Sequence, residues 1–353
     1  FRYYLGLSTL NKGSKMHIPS VSIIVPARNE EKNIAACLAS LAEQNYPEEM
    51  FEIIVVNDHS EDSTENIVRS IAKSFENVTV LNMMHDLPSL SPKKSAIAFG
   101  IRHSMHEIIL TTDADCIAHK DWVRTMVSHF DHDVGVVSGM VIFDKKKEKN
   151  LFHKVQSLEF LSLVLAGTGS IGSDLPIIAN GANLGYRRCV FDEVNGFKGI
   201  DKIKSGDDDL FLQKVGRTTA WKIRCAWERS AIISTQPVPN IKSFLSQRIR
   251  WASKGMHYHS LYFVCYLISV YLFYLGLFLS AMLSIFQFSF PMLPFALFLT
   301  KMGFDFLLMA KGTAIAGRRD LLRYFMLAEL FQIPYVLIAG VAGLRGTYSW
   351  KGR

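Results

Sequence analysis

Three groups of side chains in this chain of 353 residues have the types and spacing that chemistry needs. The first is TTDADC, where Asp113 and Asp115 stand two positions apart at the end of a strand-like run. In extended chain, residues i and i+2 point the same way, so both carboxylates can reach one cation. Oxygen donors suit hard divalent ions such as Mg2+ or Mn2+, which often bridge protein to phosphate. Two short acids after a strand also cap helices. The second group is SGDDDLF, in which Asp207, Asp208 and Asp209 are consecutive. Adjacent acids repel, which makes one of them a candidate proton acceptor, although carboxylates at a helix N-terminus are also favoured by the dipole. The third is QRIRW, where Gln247, Arg250 and Trp251 at i, i+3 and i+4 share a helical face able to donate hydrogen bonds, clamp an anion and stack on a ring. An Arg and a Trp at the headgroup level of a membrane read equally well at that position.

The elements that must position these groups alternate along the first third of the chain. Short β-rich runs at 21–25, 51–56, 78–81 and 107–112 are separated by helical patterns at 31–44, 63–75 and 92–106, with Pro26 ending the first run and Pro92 opening the last helix. Strand, helix, strand at this spacing predicts right-handed βαβ units and a mostly parallel, Rossmann-like α/β sheet. Runs as apolar as Ile53 to Val56 fit a sheet covered by helices on both faces. Such sheets bind ligands beyond the carboxyl ends of their strands, which points to 26–30, 57–60 and 113–115. A helix is expected over 151–166, then irregular chain that includes GTGSIG at 167–172. That segment matches a dinucleotide-binding glycine pattern but follows a helix, not a strand, and reads as a flexible loop.

The remaining third is greasier. Ser260 to Thr300 contains no Asp, Glu, Lys or Arg, and the mean hydropathy of the whole chain is +0.16. A bilayer core takes about 20 apolar residues per helix, so two crossings are expected at 260–280 and 281–300, with Pro291 and Pro294 in the second, and a third at 324–344 that contains Glu329. Arg318, Arg319 and Arg323 lie between the second and third, which places that loop, and with it the N-terminal domain, in the cytoplasm by the positive-inside rule. Of the net charge of +7, +5 falls from Lys301 onward, so a nucleic-acid-binding surface is excluded as the main business. Five cysteines without CxxC spacing suggest neither zinc nor a disulfide framework. Residues 1–10 read as an interfacial anchor or the stump of a membrane helix.

Taken in order along 20–255, these segments resemble the membrane-integrated family 2 glycosyltransferases of the GT-A fold, the branch that includes cellulose, chitin and hyaluronan synthases and ceramide glucosyltransferase. VSIIVPARNEE resembles the family's opening strand and nucleotide-contacting loop, which implies Arg28, Asn29 and Glu30 in the nucleotide site. VVNDHSEDST resembles the segment whose aspartate, here Asp58, holds base or ribose, with Asn57 and His59 where Asp and Gly are usual. Lys94 in PKKSAIAFGI is similar to a basic residue near the diphosphate, with Lys93 in place of the usual Gly. The resemblance further implies metal on Asp115 with Asp113 facing the nucleotide, Asn183 of GANLGYRR on the acceptor side, and the catalytic base on Asp207 or, in the neighbouring register, Asp208. QRIRW fits Q-x-x-R-W throughout, which would put Gln247, Arg250 and Trp251 over the diphosphate.

The organisation this implies is a membrane-proximal segment at 1–19, a GT-A domain at 20–239, an interfacial helix at 240–259 and membrane helices at 260–353. The expected activity is inverting transfer from a nucleoside diphosphate sugar, a UDP-sugar ahead of a GDP-sugar, with Mg2+ or Mn2+. The expected acceptor is a lipid or lipid-linked molecule at the cytoplasmic face of the membrane. A processive polysaccharide synthase is the nearest alternative, and a membrane transporter with a nucleotide-sensing domain is the alternative from another class.

Overall fold

The computed structural model describes residues 1–14, 18–85, 90–203, 205–258, 260–287 and 292–344. The chain divides into two units: one holds Arg2–Lys147 with Leu163–Gln236, the other Glu148–Ser162 with Pro237 onward. The grouping of Glu148–Ser162 with the C-terminal helices is a division the sequence does not announce.

In the first unit the elements run α1 (Arg2–Thr9), β1 (Val21–Ala27), α2 (Ile34–Ala42), β2 (Phe51–Asn57), α3 (Thr64–Ala72), β3 (Val78–Asn82), α4 (Pro92–His103), β4 (Ile108–Thr111), α5 (Trp122–Val127), β5 (Val134–Gly139) and β6 (Val141–Phe143). They continue through α6 (Leu151–Gly172), whose residues up to Ser162 belong to the second unit, β7 (Leu184–Arg187), α7 (Arg188–Glu193), α8 (Asp209–Thr218), β8 (Lys222–Ala226) and β9 (Ile233–Thr235). Seven strands form one sheet in the order β3-β2-β1-β4-β7-β5-β8, and β6 pairs with β9. The half built from β3, β2, β1 and β4 is parallel, as the alternation predicts, and Val21, Ile23, Ile24, Val25, Ile53 and Val55 are fully buried in it.

Two departures have physical causes. Pro26 does not end β1: the strand continues to Ala27, paired with β2 throughout. β4 stops at Thr111 opposite Ile24, so the side to which residue 26 would donate is already without a partner strand, and a missing N–H costs nothing there. The second departure is β7, which lies antiparallel between β4 and β5 in a segment whose glycines and prolines hide the strand pattern.

GTGSIG is not a flexible loop but the last turns of α6. A Cβ on Gly169 would collide with the Tyr3 carbonyl, one on Gly172 with the Gly6 carbonyl, and one on Gly6 with the Gly169 carbonyl. The glycines therefore let the backbones of α1 and α6 touch, and Thr9 Oγ1 donates to Gly172 O across the contact. Gly169→Leu is expected to cost about 1–3 kcal/mol and to free α1. Faster proteolysis within Arg2–Thr9 would report it.

The second unit contains α9 (Ile241–Ser253), α10 (Leu261–Gln287), α11 (Met292–Ile315) and α12 (Phe325–Leu344). By length and composition three of its helices are candidate spans, Leu261–Ser284, Met292–Ile315 and Arg319–Leu344. The charge-free run is divided differently from expectation. It holds all of α10 but only the first turns of α11, which goes on to include Lys301, Asp305 and Lys311. Pro291 lies outside the described residues, and Pro294 sits in the first turn of α11, where no backbone donor is lost. The charges on α11 are tolerated because Lys301 pairs with Asp305 at 2.7 Å and with Glu329 of α12.

Candidate active site

The loops after β1 and β2 are zipped together. Asn29, in the left-handed region at φ 53°, donates its N–H to Ser60 Oγ (3.1 Å) and accepts from Glu61 N–H (2.9 Å). Glu30 N–H donates to Thr64 Oγ1 at 2.7 Å, and Arg28, nearly buried, donates to the Asp58 carbonyl. Asp58 is 2% exposed, with Oδ1 2.9 Å from His59 Nδ1. His59 occupies φ 52°, a conformation in which glycine is normally at ease, which explains why the usual residue there is Gly.

Beyond the end of β4, carboxylates distant in sequence meet on one ammonium. Lys93 Nζ lies 2.7 Å from Asp113 Oδ1 and 3.2 Å from Asp207 Oδ2. Burial opposes a charge on Lys93, yet Asp113, Asp207 and Asp208 together push its pKa above the ordinary lysine range, so it stays an ammonium. Asp207 is 8% exposed, and its Oδ2 accepts no hydrogen bond among the described residues. A Cβ at Gly181 would sit 2.7 Å from that oxygen, so only glycine leaves the carboxylate its place. Thr111 Oγ1 donates to the Gly181 carbonyl at 2.9 Å and so pins this loop to the end of β4. Asp208 is the N-cap of α8: its side chain accepts from Asp209 N–H at 2.7 Å and from Gly181 N–H at 3.4 Å. Of the two candidates for a base, Asp208 is thus engaged in capping and Asp207 faces the lysine.

Two expected contacts have other duties. Lys94 is 1% exposed and its Nζ donates to the carbonyls of Ile200, Ile203 and Ser205 at 2.6–2.9 Å. It ties down the loop leading to Asp207, and the lysine turned to the carboxylates is Lys93, one residue earlier on the first turn of α4. Sequence reasoning missed it because the motif fixes the register of the pair but not which of two adjacent helical side chains faces the strand ends. Lys94→Met would leave three acceptors without their donor, at a cost of roughly 2–5 kcal/mol, read as a lower denaturant midpoint. Asn183 is fully buried, and its amide is spent inside the fold. Nδ2 donates to the Met140 and Ala231 carbonyls at 2.8 and 2.7 Å, and Oδ1 accepts from Trp122 Nε1 at 2.9 Å. It is not available to an acceptor substrate.

The donor set at the end of β4 is hard. Asp113 is partly exposed, and Asp115 Oδ2 accepts from Thr235 Oγ1 at 3.3 Å. Burial, and then the charge of Asp115, push the thiols of Cys37 and Cys116 far above their usual range, so both stay protonated and offer no thiolate. Among the described residues no group of three or more His, Cys, Asp or Glu gathers around a common point. Two carboxylates with no further protein ligand fit Mg2+ or Mn2+, which take phosphate oxygens and water in the remaining positions.

Gln247, Arg250 and Trp251 lie in the other unit, on α9, each part-exposed. Their support is Arg248, which is buried. Its Nη1 donates to Gln247 Oε1 at 2.7 Å, its guanidinium stacks between Phe244 (4.4 Å) and Trp251 (4.3 Å), and Nε and Nη2 both reach the Glu159 carboxylate. Tyr335 of α12 donates to the same carboxylate at 2.7 Å.

Residues 22–194 match the model of Glycosyl transferase family 2. The chain is similar to Glycosyltransferase AglE of Haloferax volcanii, 32% identical over 127 residues that make up 36% of this chain and 40% of that protein. It is also similar to the Beta-monoglucosyldiacylglycerol synthase of Trichormus variabilis, 28% identical over 245 residues, 67% of this chain and 49% of that protein. It spans about half the length of the curated relatives it matches. Among solved structures it is similar to the mannosyltransferase PcManGT from Pyrobaculum calidifontis in complex with GDP-Man and Mn2+. The TM-score is 0.64 at 19% identity, covering 98% of this chain and 94% of that one, a likeness of fold. The chain therefore carries a glycosyltransferase family 2 domain, with a GT-A-like, mostly parallel sheet.

Proposed function

We propose that the chain transfers a glycosyl group, with inversion, from a nucleoside diphosphate sugar to a lipid or lipid-linked acceptor at the cytoplasmic face of a membrane. The observation that carries this reading is the meeting of Asp113 and Asp207 on Lys93 beyond the carboxyl ends of parallel strands. Asp207 takes the proton of the acceptor hydroxyl as its oxygen bonds to the anomeric carbon. The bond from that carbon to the diphosphate oxygen breaks, and the nucleoside diphosphate leaves with the electron pair. Lys93 holds the base carboxylate beside the donor-binding acid and offers positive charge to the departing phosphates. Asp58 and the loop Arg28, Asn29 and Glu30 bind the nucleoside. Asp115, with Asp113, would hold Mg2+ or Mn2+, which supplies neutralisation of the charge that develops on the diphosphate. The resemblance of QRIRW adds Gln247, Arg250 and Trp251 as diphosphate-binding residues. The lipid acceptor is supported by the relative whose name specifies a glucosyldiacylglycerol product.

The test uses the full chain in native lipid with a panel of UDP- and GDP-sugars, and product identified by mass spectrometry. One sugar added to a lipid, and transfer reduced about 100-fold or more by a chelator and restored by Mn2+ or Mg2+, is the expected result. Long glycan products would replace the lipid acceptor with a polymer, and undiminished transfer in chelator would remove the ion from Asp115.

A further inference from the structure

We propose that α12, despite its length and apolarity, does not cross the bilayer: it lies in the membrane face alongside α9, and this part of the chain crosses twice, through α10 and α11.

The argument is one of step. α10 has 27 residues and α11 has 24, lengths of about 40 and 36 Å, each sufficient for a hydrocarbon core of about 30 Å. A third span following α11 would run in the same direction as α10 and keep pace with it. It does not. The Tyr274 hydroxyl of α10 meets Gln332 at 2.6 Å, whereas a Cβ on Gly340 would lie 2.6 Å from the Tyr271 ring. Moving eight residues forward along α12, about 12 Å, moves the contact three residues backward along α10, about 4.5 Å the other way. Tyrosine reach does not make two aligned helices of that pattern, so α12 passes across α10.

α12 does keep pace with α9. The Phe244 ring lies 5.2 Å from both Phe331 and Tyr335, and eight residues later Ala252 Cβ lies 2.9 Å from the place of a Gly343 Cβ. Both helices advance together and in one direction. α9 cannot cross, because it has 13 residues, about 20 Å, and carries Lys242, Arg248 and Arg250. A helix in step with it shares its orientation. The faces of α12 agree: Phe325, Ala328, Tyr335, Ala339 and Gly343 are buried in protein, while Met326, Leu330, Pro334, Ile338, Val341 and Leu344 are exposed as an apolar stripe at spacings of three and four. Buried on one side and apolar on the other, α12 fits the boundary between headgroups and acyl chains, with Arg319 and Arg323 at its start.

The test is topological and independent of activity. In sealed vesicles of known sidedness, Arg319→Cys and Met292→Cys, each in a Cys189→Ser, Cys265→Ser background, are labelled with an impermeant maleimide. A protease-cleavable epitope is appended after Arg353. Met292→Cys is expected on one side, and Arg319→Cys and the epitope on the other. An epitope cleaved on the side of Met292→Cys, or on both sides, overturns the proposal, as does labelling of both cysteines from one side. A transferase that failed every activity assay would leave this result unchanged.

Discussion

Asp207→Asn is expected to lower the turnover for glycosyl transfer about 100-fold or more while the dissociation constant for the nucleotide stays within about two-fold. The amide keeps the shape of the side chain but cannot accept the acceptor's proton. Its neighbour Asp208 does not substitute, because its carboxylate caps α8 and Gly181 N–H. The substitution also removes one of the two anions that Lys93 Nζ faces, at 3.2 Å, so some loosening of Asp113 is expected to appear as a modest change in donor KM rather than in kcat. The measurement is steady-state transfer together with equilibrium binding of the nucleoside diphosphate. Transfer within a few-fold of the parent would take Asp207 out of the base role. A collapse of both transfer and binding would show that the residue acts through the architecture of the site.

Glu159→Ala is expected to destabilise the second unit by about 3–5 kcal/mol, because it strands the Arg248 guanidinium in a position where that residue is 4% exposed. Three groups converge on this carboxylate: Arg248 Nε at 3.0 Å, Arg248 Nη2, and the Tyr335 hydroxyl at 2.7 Å. Replacing both charges, as in Glu159→Met with Arg248→Met, removes the attraction and the desolvation cost together and is expected to come back to near parental stability. If the double variant is as unstable as the single one, an uncompensated charge is not the cause and the packing of Phe244 and Trp251 on the guanidinium carries the energy. The double variant still loses the hydrogen bond that holds Gln247 Oε1, so a fall in transfer without a fall in melting temperature would separate the positioning of QRIRW from folding.

Much of this was legible in the chain itself. Alternating apolar runs and amphipathic segments give β1 to β4 and α2 to α4 because each of those elements buries its own pattern locally, and the rule for ligand position in parallel sheets then selects Asp58, Asp113 and Asp115. What was not legible depends on partners remote in sequence. β7 is a strand because β4 and β5 flank it, not because of its residues. Gly169 and Gly172 read as loop until α1 is seen to need the space. The roles of Lys93 and Lys94 are divided by about 100° of helical rotation, and which of them meets the acids is settled by the loop from Ile200 to Ser205, whose carbonyls claim the other. Asn183 carries the right letter in the right motif, yet Trp122, Met140 and Ala231 claim its amide. The charge-free run gave the greasiness of the C-terminal third but placed the start of α11 too early, because a lysine paired with two acids sits in a helix that composition alone would end before it.

A single ammonium shared by Asp113 and Asp207 makes the two halves of the reaction thermodynamically inseparable. Whatever draws Asp113 away from Lys93 changes the electrostatic neighbourhood of Asp207, and reciprocity requires that whatever engages Asp207 alters, by the same factor, the affinity of the partner that engages Asp113. Sugar donor and acceptor should therefore report on each other's occupancy through a distance of two ion pairs, with no domain closure needed to carry the message.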